Sequence, residues 1–229
     1  MQLNEDMHVH TTFSDGRHSV EASIDHARAR GLKRLGLADH VRAETDWLST
    51  YVDHINAVRE SLDMEVVIGV EAKLLDEVGT LDLPDDITGI ERILVADHRL
   101  PLRGELLGPR QVREALREGT MSAPDVWDTL LYAYEGCALR YENLQLAHPL
   151  SFVSRVGLDE RDIPRARIVR FAHAMANAGV AVEVSERWKC PHQQTLLILA
   201  EAGVELVASS DAHDARAIGV YNYVRALAV

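Results

Sequence analysis

Glu65-Val66-Val67-Ile68-Gly69-Val70 is an apolar run that ends against a carboxylate, Glu71. Its length and its β-branched residues read as a buried strand. Comparable short runs recur along the chain at Asp6–Val9, Arg34–Ala38, Arg92–Ala96, Leu144–Ala147, Val180–Val184 and Glu205–Ala208. Helical patterns lie between them. Ser19 caps a helix reaching about Arg30, where Gly31 stops it. Asp46–Leu62 places Trp47, Leu48, Tyr51, Val52, Ile55, Val58 and Leu62 at helical spacing. Further helices are expected at Pro109–Glu118, from Ser122 or Ala123 to about Tyr134, at Asp162–Ala178 and at Pro191–Gly203. Val220–Val229 reads as a last helix or an irregular tail, and Gly79–Asp86 as a loop.

Strand and helix in alternation predict an α/β fold with a parallel sheet and crossover helices. A closed barrel and an open doubly wound sheet both carry that pattern. No Gly-x-Gly-x-x-Gly follows any strand, which removes the main positive sign of a dinucleotide fold. Seven strands are one fewer than the usual eight of β/α barrels. With 229 residues and no linker, low-complexity stretch or repeat, the chain reads as a single domain over 1–229, with a helical insertion at about 100–140.

Composition excludes several functions. The formal charge of −12 does not favour binding to a phosphate backbone, so nucleic acid is not an expected partner. No stretch approaches about 18 consecutive apolar residues, and the first residues lack the apolar core of a signal peptide, so neither membrane nor secretion is expected. Only two cysteines occur, Cys137 and Cys190, both read as plain thiols in a reducing, cytoplasmic setting.

The eleven histidines are the unusual feature. In β/α barrels the active site lies at the C-terminal ends of the strands. Read in order, those ends supply His8 and His10 with Asp15 in the following loop, then Asp39-His40, Glu71, Asp97-His98, His148, Glu183 and Asp211-Ala212-His213. His8 and His10 are two apart on a strand and therefore share a face. Imidazole with carboxylate is a ligand set for zinc, manganese or iron(II). His8, His10, Asp15, His40, Glu71, His98, His148, Asp211 and His213 are too many for one ion and enough for two or three divalent ions, with a carboxylate such as Glu71 able to bridge. A lone strand-end histidine is more often structural; the set taken together is not. His26, His54 and His173 lie within helices and read as surface or packing residues, and His18 and His192 as loop or capping residues. No Gly-x-Ser-x-Gly or other nucleophile motif is visible.

The opening His8-Val9-His10-Thr11-Thr12-Phe13-Ser14-Asp15-Gly16, then Ala38-Asp39-His40, Glu71, His98, Ala147-His148-Pro149 and Ser210-Asp211-Ala212-His213, resemble in order the motifs of the polymerase and histidinol phosphatase (PHP) family. The likeness covers about residues 6–215. It implies a distorted seven-stranded (β/α)7, TIM-like barrel with a trinuclear metal centre. By the same resemblance His8, His10, Glu71 and Asp211 would hold one ion. Glu71 would bridge to a second ion held with His98 and His148, and Asp15, His40 and His213 would hold a third. Glu183–Arg187 and the 49 residues between His98 and His148 match the family only loosely, and both regions would shape the substrate pocket.

The expected activity is hydrolysis of a phosphate ester of a small-molecule metabolite, in the manner of histidinol phosphate phosphatases, by a hydroxide held between two metals. Glu71, Asp211 and His213 are the candidate catalytic residues. Arg17, Arg99 and Arg187 are the candidate phosphate-binding residues, because each lies close in sequence to a ligand or a strand end. Hydrolysis of a cyclic phosphodiester, lactone or amide at the same metal site is the alternative, and a non-catalytic metal-stabilised module the less favoured one.

Overall fold

A computed structural model describes residues 1–227. In chain order its elements are β1 (Glu5–Val9), α1 (Val20–Ala29), β2 (Arg34–His40), α2 (Leu48–Arg59), β3 (Glu65–Lys73), β4 (Arg92–Ala96), β5 (Leu100–Leu102), β6 (Glu105–Leu107), α3 (Pro109–Glu118), α4 (Ala123–Ala138), β7 (Leu144–Ala147), α5 (Ser151–Arg155), α6 (Arg165–Asn177), β8 (Ala181–Ser185), α7 (Gln193–Glu201), β9 (Leu206–Ser209) and α8 (Tyr223–Ala226).

Seven strands form one parallel sheet in the order β1-β2-β3-β4-β7-β8-β9. The sheet curls until its ends meet. The His10 amide donates to the Ala212 carbonyl at 2.9 Å, and the Ala212 amide donates to the His8 carbonyl at 3.3 Å. The result is a nearly closed α/β barrel in one domain. Among the described residues no helix is long and apolar enough to cross a membrane.

Alternate strand residues point to the barrel axis. Two small apolar clusters, Met7/Val67/Ala181/Val207 and Ala38/Leu94/Ala96/Ala147, stand apart from the main core that the strands make with the surrounding helices. Val67, Ala181 and Val207 share strand parity with Glu71, Glu183 and Asp211, so these clusters and the polar residues fill the same interior. Much of that filling is alanine, which leaves room on the axis for polar side chains. Gly36 and Gly69 keep the strands close, since an added Cβ would stand 2.8 Å from the Met7 carbonyl oxygen and 2.9 Å from that of Leu37.

All seven expected strands are present, several longer than the apolar runs that announced them. β2 continues to His40 and β3 to Lys73, so His40 and Glu71 are themselves strand residues, paired with each other in register. Ser19 caps α1 through its side chain, as expected. The Asp162–Ala178 helix begins later, because Glu160–Asp162 forms a separate 3-10 turn and Pro164 interrupts the chain. In the expected tail helix only Tyr223–Ala226 is helical, and residues 228–229 lie outside the described residues.

The segment expected as a helical insertion differs. Before its helices α3 and α4 it forms the antiparallel hairpin β5–β6, turned by Arg103 and Gly104 at φ 54° and 78°. Two successive positive φ values are what a two-residue hairpin turn demands. Helix α4 also runs past Tyr134 to Ala138, through Gly136. A Cβ on Gly136 would come within 2.3 Å of the Val78 carbonyl oxygen, so this glycine lets the Gly79 loop lie directly on the helix.

Candidate metal centre

All nine expected donor residues converge at the C-terminal mouth of the barrel. Three sets have donor atoms within 4.8 Å of one another: His10, Asp15, His40 and His213; His8, His10 and Asp211; Glu71, His98 and His148. Donor atoms around one ion with bonds near 2.1 Å are roughly 3–4 Å apart, so the spacing suits metal binding. His10 falls into two of the sets and so stands between them.

Glu71 occupies the centre. Its Oε1 lies 3.1 Å from His148 Nε2 and 3.4 Å from His98 Nε2. Its Oε2 faces the other way, 2.8 Å from His40 Nδ1, 3.4 Å from His8 Nε2 and 3.5 Å from His10 Nε2. A carboxylate with one oxygen turned to each of two donor groups is what bridging requires.

The test of fit is whether these atoms are satisfied without an ion. His8 Nε2 and both ring nitrogens of His10 are buried without a hydrogen-bond partner, and Glu71 Oε2, although 2.8 Å from His40 Nδ1, makes no hydrogen bond of acceptable angle. Buried polar atoms are normally paired, and an orphan costs about 1–3 kcal/mol. Here four such atoms in one cluster face shared space. The donor set fits divalent cations.

Electrostatics tell the same story. Burial alone would lower the His8 pKa, yet the carboxylates of Glu183 and Glu71 outweigh it and hold it well above 6.5. His148 is raised to about 10, burial being outweighed by hydrogen bonds to Asp97 and Glu71. Burial would raise Glu71, but His8, His148 and His40 hold it well below the usual range. Asp211 is lowered likewise against burial, by His10, His8 and His148. His10 is lowered, first by burial. Without ions, the carboxylates thus favour the protonated forms of His8, His40 and His148, and burial disfavours that of His10.

Several residues outside the expected donor set hold it in shape. Glu183, at 0% exposure, accepts from His8 Nδ1 at 3.2 Å, Gln145 Nε2 at 2.7 Å, the His148 amide at 3.0 Å and Ser209 Oγ at 2.8 Å. Holding the proton on Nδ1 leaves Nε2 of His8 free as a donor. Asp97 accepts from Ser151 Oγ at 2.7 Å and lies 3.4 Å from His148 Nδ1. Asp39 accepts from Thr11 and Ser14, which fixes the loop carrying Asp15. Trp188 Nε1 donates to Asp211 Oδ2 at 2.7 Å. Strand alternation could have flagged Glu183 as facing inward, whereas nothing local marks Trp188.

The three expected phosphate-binding arginines separate. Arg187 lines a cavity of about 220 Å³ with His40, Glu71, His98, Asp211 and His213. It does not pair with Glu183 or Glu186. Its Nη1 lies 2.7 Å from His213 Nδ1 and donates to the Asp211 carbonyl at 3.1 Å, so it braces the donor residues. Arg17 lies farther out, mostly exposed and 3.6 Å from Asp214. Arg99 is exposed and donates to the Leu106 carbonyl in the β5–β6 hairpin. The second cation of the 220 Å³ cavity is Arg155 at the end of α5, which sequence reading passed over. Arg155 and Arg187 both pack on the Trp188 ring, 5.4 and 5.7 Å from its centroid.

The remaining histidines lie outside this cluster. His54 pairs with Glu21, His26 bonds the Ala22 carbonyl, His18 accepts from the Ala215 amide, and His192 precedes α7.

The barrel thus carries a histidine–carboxylate donor cluster at its mouth, with two arginines beside it. The family model for the PHP domain matches residues 6–210, and the chain belongs to that family. Among curated proteins, the DNA polymerase/3'-5' exonuclease PolX of Bacillus subtilis is 26% identical over 103 residues, which is 42% of this chain and 18% of that protein. The chain thus matches only a small part of that relative's length. Two solved structures share the fold. Histidinol phosphate phosphatase of Lactococcus lactis, complexed with zinc, L-histidinol and phosphate, has a TM-score of 0.67 at 17% identity, covering 97% of this chain and 91% of its own. A Listeria monocytogenes protein described as a histidinol phosphatase has a TM-score of 0.71 at 15% identity, covering 94% and 97%.

Proposed function

We propose that the protein hydrolyses a phosphate monoester of a small-molecule metabolite, using two to three divalent ions of zinc, manganese or iron. The observation that carries this reading is the two-sided carboxylate Glu71, set among orphaned imidazoles directly beneath the Arg155–Arg187 pair. His8, His10, Asp15, His40, Glu71, His98, His148, Asp211 and His213 would hold the ions. Bound there, divalent cations supply Lewis acidity, which favours deprotonation of water near neutral pH and offsets negative charge on phosphoryl oxygens.

The chain's own residues do the rest. Glu71 offers an oxygen to each side of the cluster, Glu183 and Asp97 keep His8 and His148 in orientation, and Trp188 holds Asp211. Arg155 and Arg187 present planar donors to a phosphate in the 220 Å³ cavity. His213 Nδ1 has two neighbours, the Asp211 carbonyl at 3.1 Å and Arg187 at 2.7 Å. If His213 uses Nε2 as a donor atom, its proton sits on Nδ1 and bonds the carbonyl. Arg187 then loses that acceptor and keeps the Asp211 carbonyl at 3.1 Å, with its remaining N–H groups available to an anion. In the reaction, water oxygen bonds to phosphorus, the ester P–O bond breaks, and the alcohol leaves with one of the water's protons.

The test is phosphate release by protein reconstituted with zinc, manganese or iron(II) under anaerobic conditions, against monoesters and cyclic phosphodiesters, lactones and amides. Turnover of monoesters supports the proposal. Turnover confined to the other substrates refutes it.

A further inference from the structure

The donor cluster also opens on a second cavity, of about 480 Å³, which shares His40, Glu71 and His98 with the smaller one beneath the arginine pair. Two adjoining cavities around one set of donors suit an ester, with the phosphoryl group in one and the alcohol in the other. We propose that the larger cavity receives the leaving alcohol and selects aromatic alcohols that carry a negative charge. This inference rests on the phosphomonoesterase reading above.

The wall of this cavity is aromatic. Phe13, from the loop after β1, and Trp47, from the loop after β2, both line it. The two rings pack 5.4 Å apart, and Phe13 is held from behind by Tyr51 at 5.1 Å, a completely buried residue of α2. A rigid aromatic wall favours a planar apolar group, through area burial and ring stacking.

The charge on the rim is positive. Arg42 and Lys73 line the cavity. Lys73 Nζ lies 2.9 Å from Asp82 and is balanced by it. Arg42 is exposed and, among the described residues, pairs with no carboxylate. The carboxylates on the cavity wall, Asp15 and Glu71, both belong to the metal-donor set and face histidines. An ammonium-bearing alcohol would therefore meet Arg42 without a counter-charge, and a carboxylate-bearing one would meet an unpaired guanidinium. The cavity on the other side of the centre, about 720 Å³, offers neither feature. No Phe, Trp or Tyr lines it, and each of its arginines has a carboxylate partner, Arg17 and Arg216 in Asp214 and Arg187 in Asp211 at 3.6 Å.

The experiment uses three benzyl phosphates, in which a methylene insulates the leaving oxygen from the ring substituent: para-carboxybenzyl, unsubstituted benzyl and para-aminomethylbenzyl phosphate. With metal-loaded protein, kcat/KM for the carboxy ester should exceed that for the aminomethyl ester by at least about fivefold, the scale of a partly exposed charge pair counted with both signs. Arg42→Gln should bring this ratio towards one, and Arg42→Glu should invert it. Trp47→Ala should lower kcat/KM for the benzyl esters relative to glycerol phosphate. Equal use of the charged esters by the unaltered protein, or a ratio unmoved in Arg42→Glu, overturns the proposal. A second measurement separates this inference from the reading beneath it. Titration of para-(hydroxymethyl)benzoate into the protein, followed by tryptophan fluorescence, reports the cavity without turnover. Binding weakened at least about fivefold in Arg42→Glu, with no ester hydrolysed, would sink the phosphatase reading and leave the cavity assigned. Hydrolysis with no Arg42 dependence in either assay would do the reverse.

Discussion

Replacing Glu183 by glutamine should loosen the metal centre although Glu183 is not among its expected ligands. The carboxylate is completely buried and accepts from His8, Gln145, the His148 amide and Ser209. Glutamine keeps one acceptor oxygen and turns an NH2 group towards either Gln145 Nε2 or the His148 amide, both of which are donors. At least one charge-assisted bond is lost and one donor faces another, a loss of about 2–4 kcal/mol in unfolding free energy. The His8 ring loses the anion that fixes its Nδ1 proton, and such orienting partners are worth about 10–100-fold in metal affinity. Chelator competition at fixed pH reads the second effect, and urea unfolding of metal-free protein reads the first. Ser209→Ala is the control, because it removes one bond to Glu183 and leaves His8 paired. It should cost about 1 kcal/mol of stability and no metal affinity. If Glu183→Gln loses stability but binds metal as tightly as the unaltered protein, Glu183 is a packing group only, and the reasoning from His8 is wrong.

Glu71→Gln should lower metal content and activity together, activity by at least about a hundredfold, as read by elemental analysis and phosphate release. Arg155→Ala should raise KM for a phosphomonoester about tenfold, about 1.4 kcal/mol, with metal content unchanged; Arg187→Ala should also lower metal content, because Arg187 contacts His213 and the Asp211 carbonyl. Gly136→Ala should lower the unfolding free energy, read by urea titration, by about 1–3 kcal/mol, since the new Cβ would fall 2.3 Å from the Val78 carbonyl oxygen. His148, raised from 6.5 to about 10 without ions, contributes stability that is complete below 6.5 and is lost as pH rises through 10. Metal-free protein should therefore lose urea resistance over that window, and His148→Gln should flatten the slope.

The strands were legible because they are short and apolar between helices of clear period, and their ends carry histidines and carboxylates that a barrel gathers at one mouth. Strand lengths were less legible. β3 continues through Glu71-Ala72-Lys73, where polar residues interrupt the apolar run but backbone pairing with β4 persists. The β5–β6 hairpin was hidden by its brevity, although Arg103-Gly104 between Leu-Pro-Leu and Glu-Leu-Leu is a turn signal. Arg155 and Trp188 were illegible for a different reason. They reach the site from segments far apart in sequence, and only the packing of α5 against the loop after β8 brings them together.

Seven strands surround this interior, yet β8 places no residue in the expected donor set. It offers Glu183 instead, and the geometry gives that choice a cause. His8 and His148 sit on β1 and just after β7, and β8 lies between β7 and β9, which meets β1 where the barrel closes. A carboxylate at that position reaches the ring of one and the amide of the other at once. A histidine there would offer a single acceptor and could not serve both. An apolar residue would leave His8 Nδ1, the His148 amide, Gln145 Nε2 and Ser209 Oγ as buried orphans, each costing about 1–3 kcal/mol. An all-apolar interior would be the easier route to stability, since buried charges repay their desolvation only when fully bonded. The alanines at 38, 96, 147 and 181 make room for the polar network, whose unpaired atoms are those of His8, His10 and Glu71 that face the candidate ions, together with Gln145 Oε1 and Ser210 Oγ. The barrel interior is therefore built around orienting the donor cluster.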